Sequence, residues 1–312
     1  MPHKTIQLDY QTHSHELNSV FEKAFSIYYS KSQPPSRDPF IWKLYLKKSY
    51  PFSLGINHKG LLAAFSIAHL WDSMIWLGPI GVLPQYRGTG MGSFLLQQQI
   101  EQIGRYLPRS AILLESRPEK ENVSFYLKNN FLFHDMALKI VINLRYLGSP
   151  TQKKWSLTRI LGQPPVNQPD IAPEQIKKCF GIDLYHDNEY FNEFKAGEIW
   201  YLRHPQNKLR AMILWQTRSP YNEDKLTLNG KAFLADTDNL FVIRELICQC
   251  AEIAREDGNQ LMTLAIPAKF SPLLKMLPDK SYRLIQYTLT MIHSQSIRPF
   301  KDNLFYGCSL SG

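Results

Sequence analysis

The sequence predicts a mixed α/β (α+β) chain of two units, each a mixed, mostly antiparallel central sheet flanked by helices. Three observations carry that expectation. First, an apolar run from Met74 to Val82 is broken by Pro84 and followed by the glycine-rich Arg87-Gly-Thr-Gly-Met-Gly92 and an apolar-striped helix over Ser93–Ile103. Second, the order strand, hairpin, helix, strand, helix, strand occurs before about residue 145 and again after about residue 171. Third, the stretch between carries Gly148-Ser-Pro-Thr and Gly162-Gln-Pro-Pro, which is linker composition. The units are therefore placed at 1–148 and 171–312, with 149–170 as the linker.

Bulk properties narrow the class. A chain of 312 residues, 44% hydrophobic and 20% charged, can bury a large core and hold two domains. No run of eighteen apolar residues occurs and Met1–Tyr10 carries no apolar signal segment, so a membrane span is not expected and a cytoplasmic location is. Cys179, Cys248, Cys250 and Cys308 form no CxxC pair, which points to reduced thiols. The net charge of +9 fits either nucleic acid or an anionic cofactor. Basic residues occur only in pairs such as Lys47-Lys48, Lys153-Lys154 and Lys177-Lys178, so the anionic cofactor is preferred over nucleic acid.

In chain order, Thr5–Leu8 reads as a strand and Glu16–Tyr28 as a helix capped by Thr12 or Ser14. Ser30–Pro39 reads as a loop and Phe40–Lys48 as a helix with Trp42 and Tyr45 on its aromatic face. Phe52–Asn57 and Leu61–Leu70 form a hairpin turning at His58-Lys-Gly60. Ala111–Glu115 is apolar enough to be buried on both faces. A helix over Asn122–Asn130 follows, then closing strands at Phe131–Phe133 and Ala137–Leu144. His13, His15 and Glu16 have metal-like spacing but lie among polar residues at a helix start, so no metal is expected.

The glycine turn carries the chemistry. Where a strand turns into a helix, successive backbone N–H groups and the positive helix end point at one spot, which suits a phosphate. Gly88, Gly90 and Gly92 lack Cβ atoms that would hold it off. The spacing fits neither the dinucleotide fingerprint nor the P-loop.

The Arg87-x-x-Gly90-x-Gly92 loop after its strand resembles the acyl-CoA loop of the GNAT superfamily of N-acetyltransferases. Ser124-Phe-Tyr-Leu-Lys-Asn-Asn-Phe131 resembles that family's "FYxKxGF" pattern, with Asn130 in place of glycine. The resemblance spans roughly residues 5–145. It implies an acyl-CoA N-acyltransferase fold, acetyl-CoA as cofactor and transfer of an acetyl or acyl group to a small-molecule or peptide amine. Backbone groups of Arg87, Gly88, Thr89, Gly90, Met91 and Gly92, with the Arg87 side chain, would hold the diphosphate. Ile80, Gly81 and Val82 would pair with the peptide-like pantetheine arm and place an N–H near the thioester carbonyl. Tyr126 falls at the family's general-acid position, and a phenol with a pKa of about 10 stays protonated at neutral pH. Asn122 shares its helical face and is read as a pantetheine contact or a cap. Glu115, leaving its strand, is the general-base candidate or a salt-bridged carboxylate, with Tyr28, Asp72 and His134 as alternatives.

In the second half, Ile171–Phe180 reads as a helix, Ile199–Arg203 and Leu209–Thr217 as paired strands, and Lys225–Ala235 as a further strand. Phe241–Glu256 is a long amphipathic helix, followed by strand Leu261–Ile266, helix Phe270–Leu277 and strand Leu284–Ile292. A brief helix is expected at Trp155–Ile160, and Arg298–Tyr306 is expected to dock as an extra strand. The glycine loop is missing: Ala235-Asp-Thr-Asp-Asn-Leu240 stands in its place, and two carboxylates would repel a diphosphate. This half is read as a degenerate copy of the same fold. The competing reading is a non-catalytic protein that binds or senses an acyl-CoA.

Overall fold

The computed structural model describes residues 4–26, 39–49, 51–71, 73–151, 156–160, 179–180, 193, 197–203, 209–216, 226–296 and 305–308. Strand β1 (Thr5–Gln7) leads into α1 (Tyr10–Phe25). That helix starts before the expected Glu16, because the Asp9 carboxylate accepts the amides of Gln11 (3.0 Å) and Thr12 (2.9 Å) and caps it first. His13 belongs to this cap, its Nδ1 accepting the Asp9 N–H at 3.2 Å. After α2 (Pro39–Ser49), the hairpin β2 (Leu54–His58) and β3 (Leu61–Trp71) turns through Lys59 and Gly60, both at positive φ. Both central residues in that region match the twist of the flanking strands.

Strand β4 (Met74–Val82) gives way to a 3-10 turn at Pro84–Tyr86, then α3 (Met91–Tyr106), β5 (Ala111–Ser116), α4 (Lys120–Lys128) and β6 (Phe131–Asn143). Asn130 takes the left-handed conformation (φ 63) that ends α4, as its place in the glycine position requires. The two strands expected between Phe131 and Leu144 are one. An extra residue at His134, bulged between the pairs Phe133–Met291 and Asp135–Thr290, interrupts the apolar alternation without ending the strand.

The second half comprises β7 (Ser156–Ile160), β8 (Gly197–Arg203), β9 (Leu209–Gln216), β10 (Thr227–Ala235), α5 (Leu240–Glu256), β11 (Leu261–Pro267), a 3-10 segment at Ala268–Met276, β12 (Tyr282–His293) and β13 (Phe305–Cys308). The brief helix expected at Trp155–Ile160 is instead an edge strand, held by five pairs between Ser156–Ile160 and β8. The stretch read as linker thus contributes an edge strand to the sheet. The helix expected at Phe270–Leu277 winds as 3-10, with Pro272 inside it removing a helical donor. The helix expected at Ile171–Phe180 and the loop expected at Ser30–Pro39 lie almost wholly outside the described residues. The tail does dock as a strand, although at Phe305–Cys308.

Among the described residues, thirteen strands form one sheet, in the order β1-β2-β3-β4-β5-β12-β6-β11-β10-β9-β8-β7, with β13 paired to β10. The halves repeat one pattern and exchange their sixth strands. β12 lies between β5 and β6, and β6 lies between β12 and β11. Each half contains a parallel pair, β4–β5 and β10–β11, in an otherwise antiparallel sheet. Trp42, Phe65 and Leu113 of the first half share one buried cluster with Tyr201, Leu214 and Leu234 of the second, so the core runs across both. Among the described residues, no helix is long and apolar enough to cross a membrane. Cys248 and Cys250 are buried free thiols on α5, and burial pushes both above the ordinary thiol range.

Candidate functional site

The site forms where β4 leaves its parallel neighbour. Pairing of β4 with β5 runs from Met74–Ala111 to Leu77–Leu114 and stops, while β3 follows β4 to Val82. A register shift adds one residue to β4 between its pairs Leu77–Ala68 and Ile80–Ser66. This bulge turns the strand away from β5. His69, buried and in edge contact with Tyr45, lies 2.9 Å by its Nε2 from the Gly78 carbonyl inside the bulge.

Leu83 N–H donates to Ala63 O at 2.9 Å, and Gly81 lies opposite Phe65. Antiparallel pairing alternates, so Gly81 and Leu83 turn their main-chain groups to β3, and Ile80 and Val82 turn theirs to the opened side. Gly81, expected among the cofactor contacts, thus differs from its neighbours. Its main chain is engaged, and a Cβ there would fall 2.5 Å from Phe65 Cε1. Its role is to let the Phe65 ring cross the strand.

At the end of β4 the loop makes an anion-shaped nest. Gly88 (φ 76) and Gly90 (φ 84) are left-handed, and the space beside each is open. Gly90 is the N-cap of α3 and offers no side-chain cap. The first backbone bond of α3 is Phe94 N–H to Gly90 O at 3.0 Å. Among the described residues, nothing accepts from the amides of Gly88, Thr89, Gly90, Met91, Gly92 or Ser93. The Thr89 hydroxyl donates to Tyr86 O at 2.7 Å and tightens the loop. At Gly92 a Cβ would touch Val82 and Phe125 at 3.4 Å, so this glycine lets the first turn of α3 sit close to β4 and α4.

Arg87 is placed differently from the expectation that its side chain lies on the phosphate. Its guanidinium donates through Nη2 to Ala24 O and through Nε to Val82 O (3.4 Å). A cation on a carbonyl of the last turn of α1 is favourable for the helix dipole. Arg87 therefore ties the end of α1 to the nest.

On α4, Tyr126 is half-buried, in edge contact with Phe125 (5.0 Å) and Phe131 (6.0 Å). Asn122 Nδ2 donates to Glu119 Oε2 at 3.1 Å. Sequence reasoning missed Asn129. Its buried Nδ2 donates to Phe125 O (2.8 Å) and Ser93 Oγ (3.2 Å), joining the end of α4 to the start of α3. Only its place in the turn before Asn130 could have flagged it.

Glu115 lies one residue beyond the last β4–β5 pair, its side chain 2% exposed. Lys139 Nζ of β6 reaches it at 2.9 Å across the intervening β12, and the Thr288 hydroxyl of β12 donates to the same Oε1. The carboxylate proposed as base is therefore an ion-pair partner in a cluster drawn from both halves. Of the alternatives, Tyr28 and Asp72 lie outside the described residues, and His134 sits exposed on the β6 bulge.

The second half lacks the nest for a visible reason. Only Asp236–Asn239 separates β10 from α5, and the Asn239 side chain caps the helix by accepting the amides of Phe241 (3.0 Å) and Val242 (3.3 Å). The Asn239 side chain thus takes two amides at the start of α5, where Gly90 takes none at the start of α3.

Residues 15–131 match the family model described as the acetyltransferase (GNAT) family. No curated protein matches the chain by sequence. Solved structures do. A Pyrococcus horikoshii protein provisionally described as an acetyltransferase matches with a TM-score of 0.65 at 14% identity, over 98% of this chain and 94% of that one. A GCN5-related N-acetyltransferase from Sphaerobacter thermophilus matches at 0.57 and 10% identity, over 95% and 96%. A tandem GNAT protein from the clavulanic acid biosynthesis pathway matches at 0.56 and 10% identity, over 95% of this chain and 100% of that one.

Proposed function

We propose that this chain, whose residues 15–131 carry a domain of the acetyltransferase (GNAT) family, moves an acyl group, most simply acetyl, from its CoA thioester to an amine by direct attack in a ternary complex. One observation carries the reading. Six consecutive amides, Gly88 to Ser93, are left without an acceptor among the described residues, beside a strand edge whose Ile80 main chain and Val82 N–H face the same opening. A diphosphate satisfies the first set and a pantetheine arm, with its amides, the second.

The residues then divide the work. The nest around Thr89 and Gly90 holds the diphosphate by main-chain donors in a fixed shape. Ile80 and Val82 hold the arm extended, so the thioester is presented where β4 and β5 part. An outward N–H on this edge favours negative charge on the carbonyl oxygen as the amine nitrogen attacks. The new C–N bond forms, the C–S bond breaks, and the amine proton leaves through solvent or a base. Tyr126 donates its phenolic proton to the departing thiolate. Asn129 is a positioning residue that fixes the end of α4 against the start of α3, and Asn122, on the Tyr126 face of α4, contacts the pantetheine arm. Glu115, with Lys139 and Thr288, forms a polar anchor for the acceptor side of the cleft.

The test is release of free thiol from acetyl-CoA against a panel of amines, with CoA binding followed by calorimetry. Turnover with at least one amine, and loss of turnover but not of CoA binding in Tyr126→Phe, is the expected pair of results. Loss of roughly 10²–10⁴-fold is the scale for a general acid. The engagement of Glu115 by Lys139 favours a second reading, an acyl-CoA binder without turnover. CoA binding with no turnover on any amine, and no effect of Tyr126→Phe, would decide for it. Absence of CoA binding would defeat both.

A further inference from the structure

The two parallel pairs part in the same way, but among the described residues a strand fills only the second gap. β4 and β10 are both nine-residue strands, and their parallel pairing starts at their first residues, Met74 and Thr227. Both carry an extra residue soon after that pairing ends, at Gly78–Pro79 and at Lys231. Position for position, Ile80–Val82 corresponds to Phe233–Ala235. In the second half that stretch is occupied. β13 pairs antiparallel with it, Phe233 opposite Gly307, Leu234 opposite Tyr306 and Ala235 opposite Phe305. β9 holds the other edge of β10 over the same residues, so β13 lies on the β11 side, within the gap, and it lies against β11 as well. The C-terminal strand stands where the first half offers its edge to the pantetheine arm.

We propose that the second half carries a polypeptide-strand site in place of an acyl-donor cleft, and that its resident ligand is the chain's own C-terminal segment. The inference rests on reading the first-half opening as the donor site. Three features agree on it. The edge recognises an extended chain by main-chain hydrogen bonds, which a peptide supplies as well as pantetheine does. The helix start that would hold a diphosphate is capped by Asn239. Asp236 and Asp238 add negative charge at the same turn. The occupant also covers a strand edge that would otherwise invite pairing with another chain. The full chain accordingly binds a single CoA.

The natural Cys308 lies opposite Ala232, which provides the test. In full-length Ala232→Cys, mild oxidation should join the two residues, because directly opposed strand positions lie within disulfide reach. Failure to form that bond overturns the proposal. Calorimetry with CoA should give one equivalent per chain for both the wild type and the oxidised variant. Two equivalents for the wild type and one for the oxidised variant would show CoA displacing the tail, and would overturn it. Full-length Gly307→Pro removes a main-chain donor opposite Phe233, the position that corresponds to Ile80. It should bind a labelled peptide of residues 298–312 that the wild type refuses, and refusal by both chains overturns the strand site. CoA binding to neither chain would defeat the donor reading, and the disulfide and peptide results would still judge the strand.

Discussion

Gly90 shows how one backbone angle controls the site. It is left-handed at φ 84 with open space where a Cβ would stand, so Gly90→Ala meets no clash and pays only in backbone strain. That strain is about 1–2 kcal/mol for a non-glycine residue. The added methyl group also lies beside the donors proposed for the diphosphate. Chemical denaturation should show a loss of this size, and calorimetry a weakening of CoA binding well beyond it. A variant that loses stability but keeps full affinity would mean that the nest is not where CoA sits. Glu115 supports a second prediction at this scale. Glu115→Gln leaves Lys139 without its anion in a largely buried place, which costs about 3–5 kcal/mol when a buried pair is broken. Glu115→Gln with Lys139→Met should recover most of that stability in urea unfolding. Turnover separates the roles. A structural anchor regains activity in the double variant, whereas a true base does not.

Among the elements, β12 matters most because it belongs to one half in sequence and to both in space. His293 ends it, buried against the Phe131 ring at 5.3 Å, and burial lowers its affinity for protons below the usual histidine range. The unfolded chain protonates this histidine below about pH 6.5, where the folded chain still resists. Its contribution is therefore fully present above that pH. It is lost as pH falls from there toward the lower folded-state value. Urea midpoints measured between neutral pH and mild acid should fall, and His293→Phe, which keeps an aromatic ring against Phe131, should flatten that decline. An equal decline in the variant would assign the pH dependence to other groups. Helices α3 and α5 make the other contrast at this scale. They start at matching places in the two units, yet one begins at an uncapped glycine and the other at an asparagine whose side chain takes two of the first amides.

For the whole molecule, the exchanged strands tie the halves into one cooperative body. β5 has β12 as a partner and β11 has β6, so neither half's part of the sheet is complete without the other half. The buried cluster that joins Trp42 and Phe65 to Tyr201 and Leu214 reinforces this. Scanning calorimetry should therefore record one unfolding transition, where two independent domains would give two. Two resolved transitions, or a first half that stays folded when expressed as residues 1–148, would contradict the coupling.

Much of this architecture was legible in the chain, because the signals involved are local. The apolar run of β4, its proline stop, the glycines after it and the stripe of α3 all act within a few residues of one another, so the nest and its helix could be read directly. So could Asn130 as a helix terminator and the loss of the loop before Leu240. Tertiary structure alone decided the partners. Nothing in the sequence distinguishes the strand that will lie beside β5, since β6 and β12 are both long and apolar, and pairing joins residues far apart in the chain. For the same reason the Glu115 cluster, the contact of Arg87 with Ala24 and the seat of the C-terminal strand could not be foreseen. A side chain's neighbours across a sheet are set by register and strand order, and these emerge only when the whole core is packed.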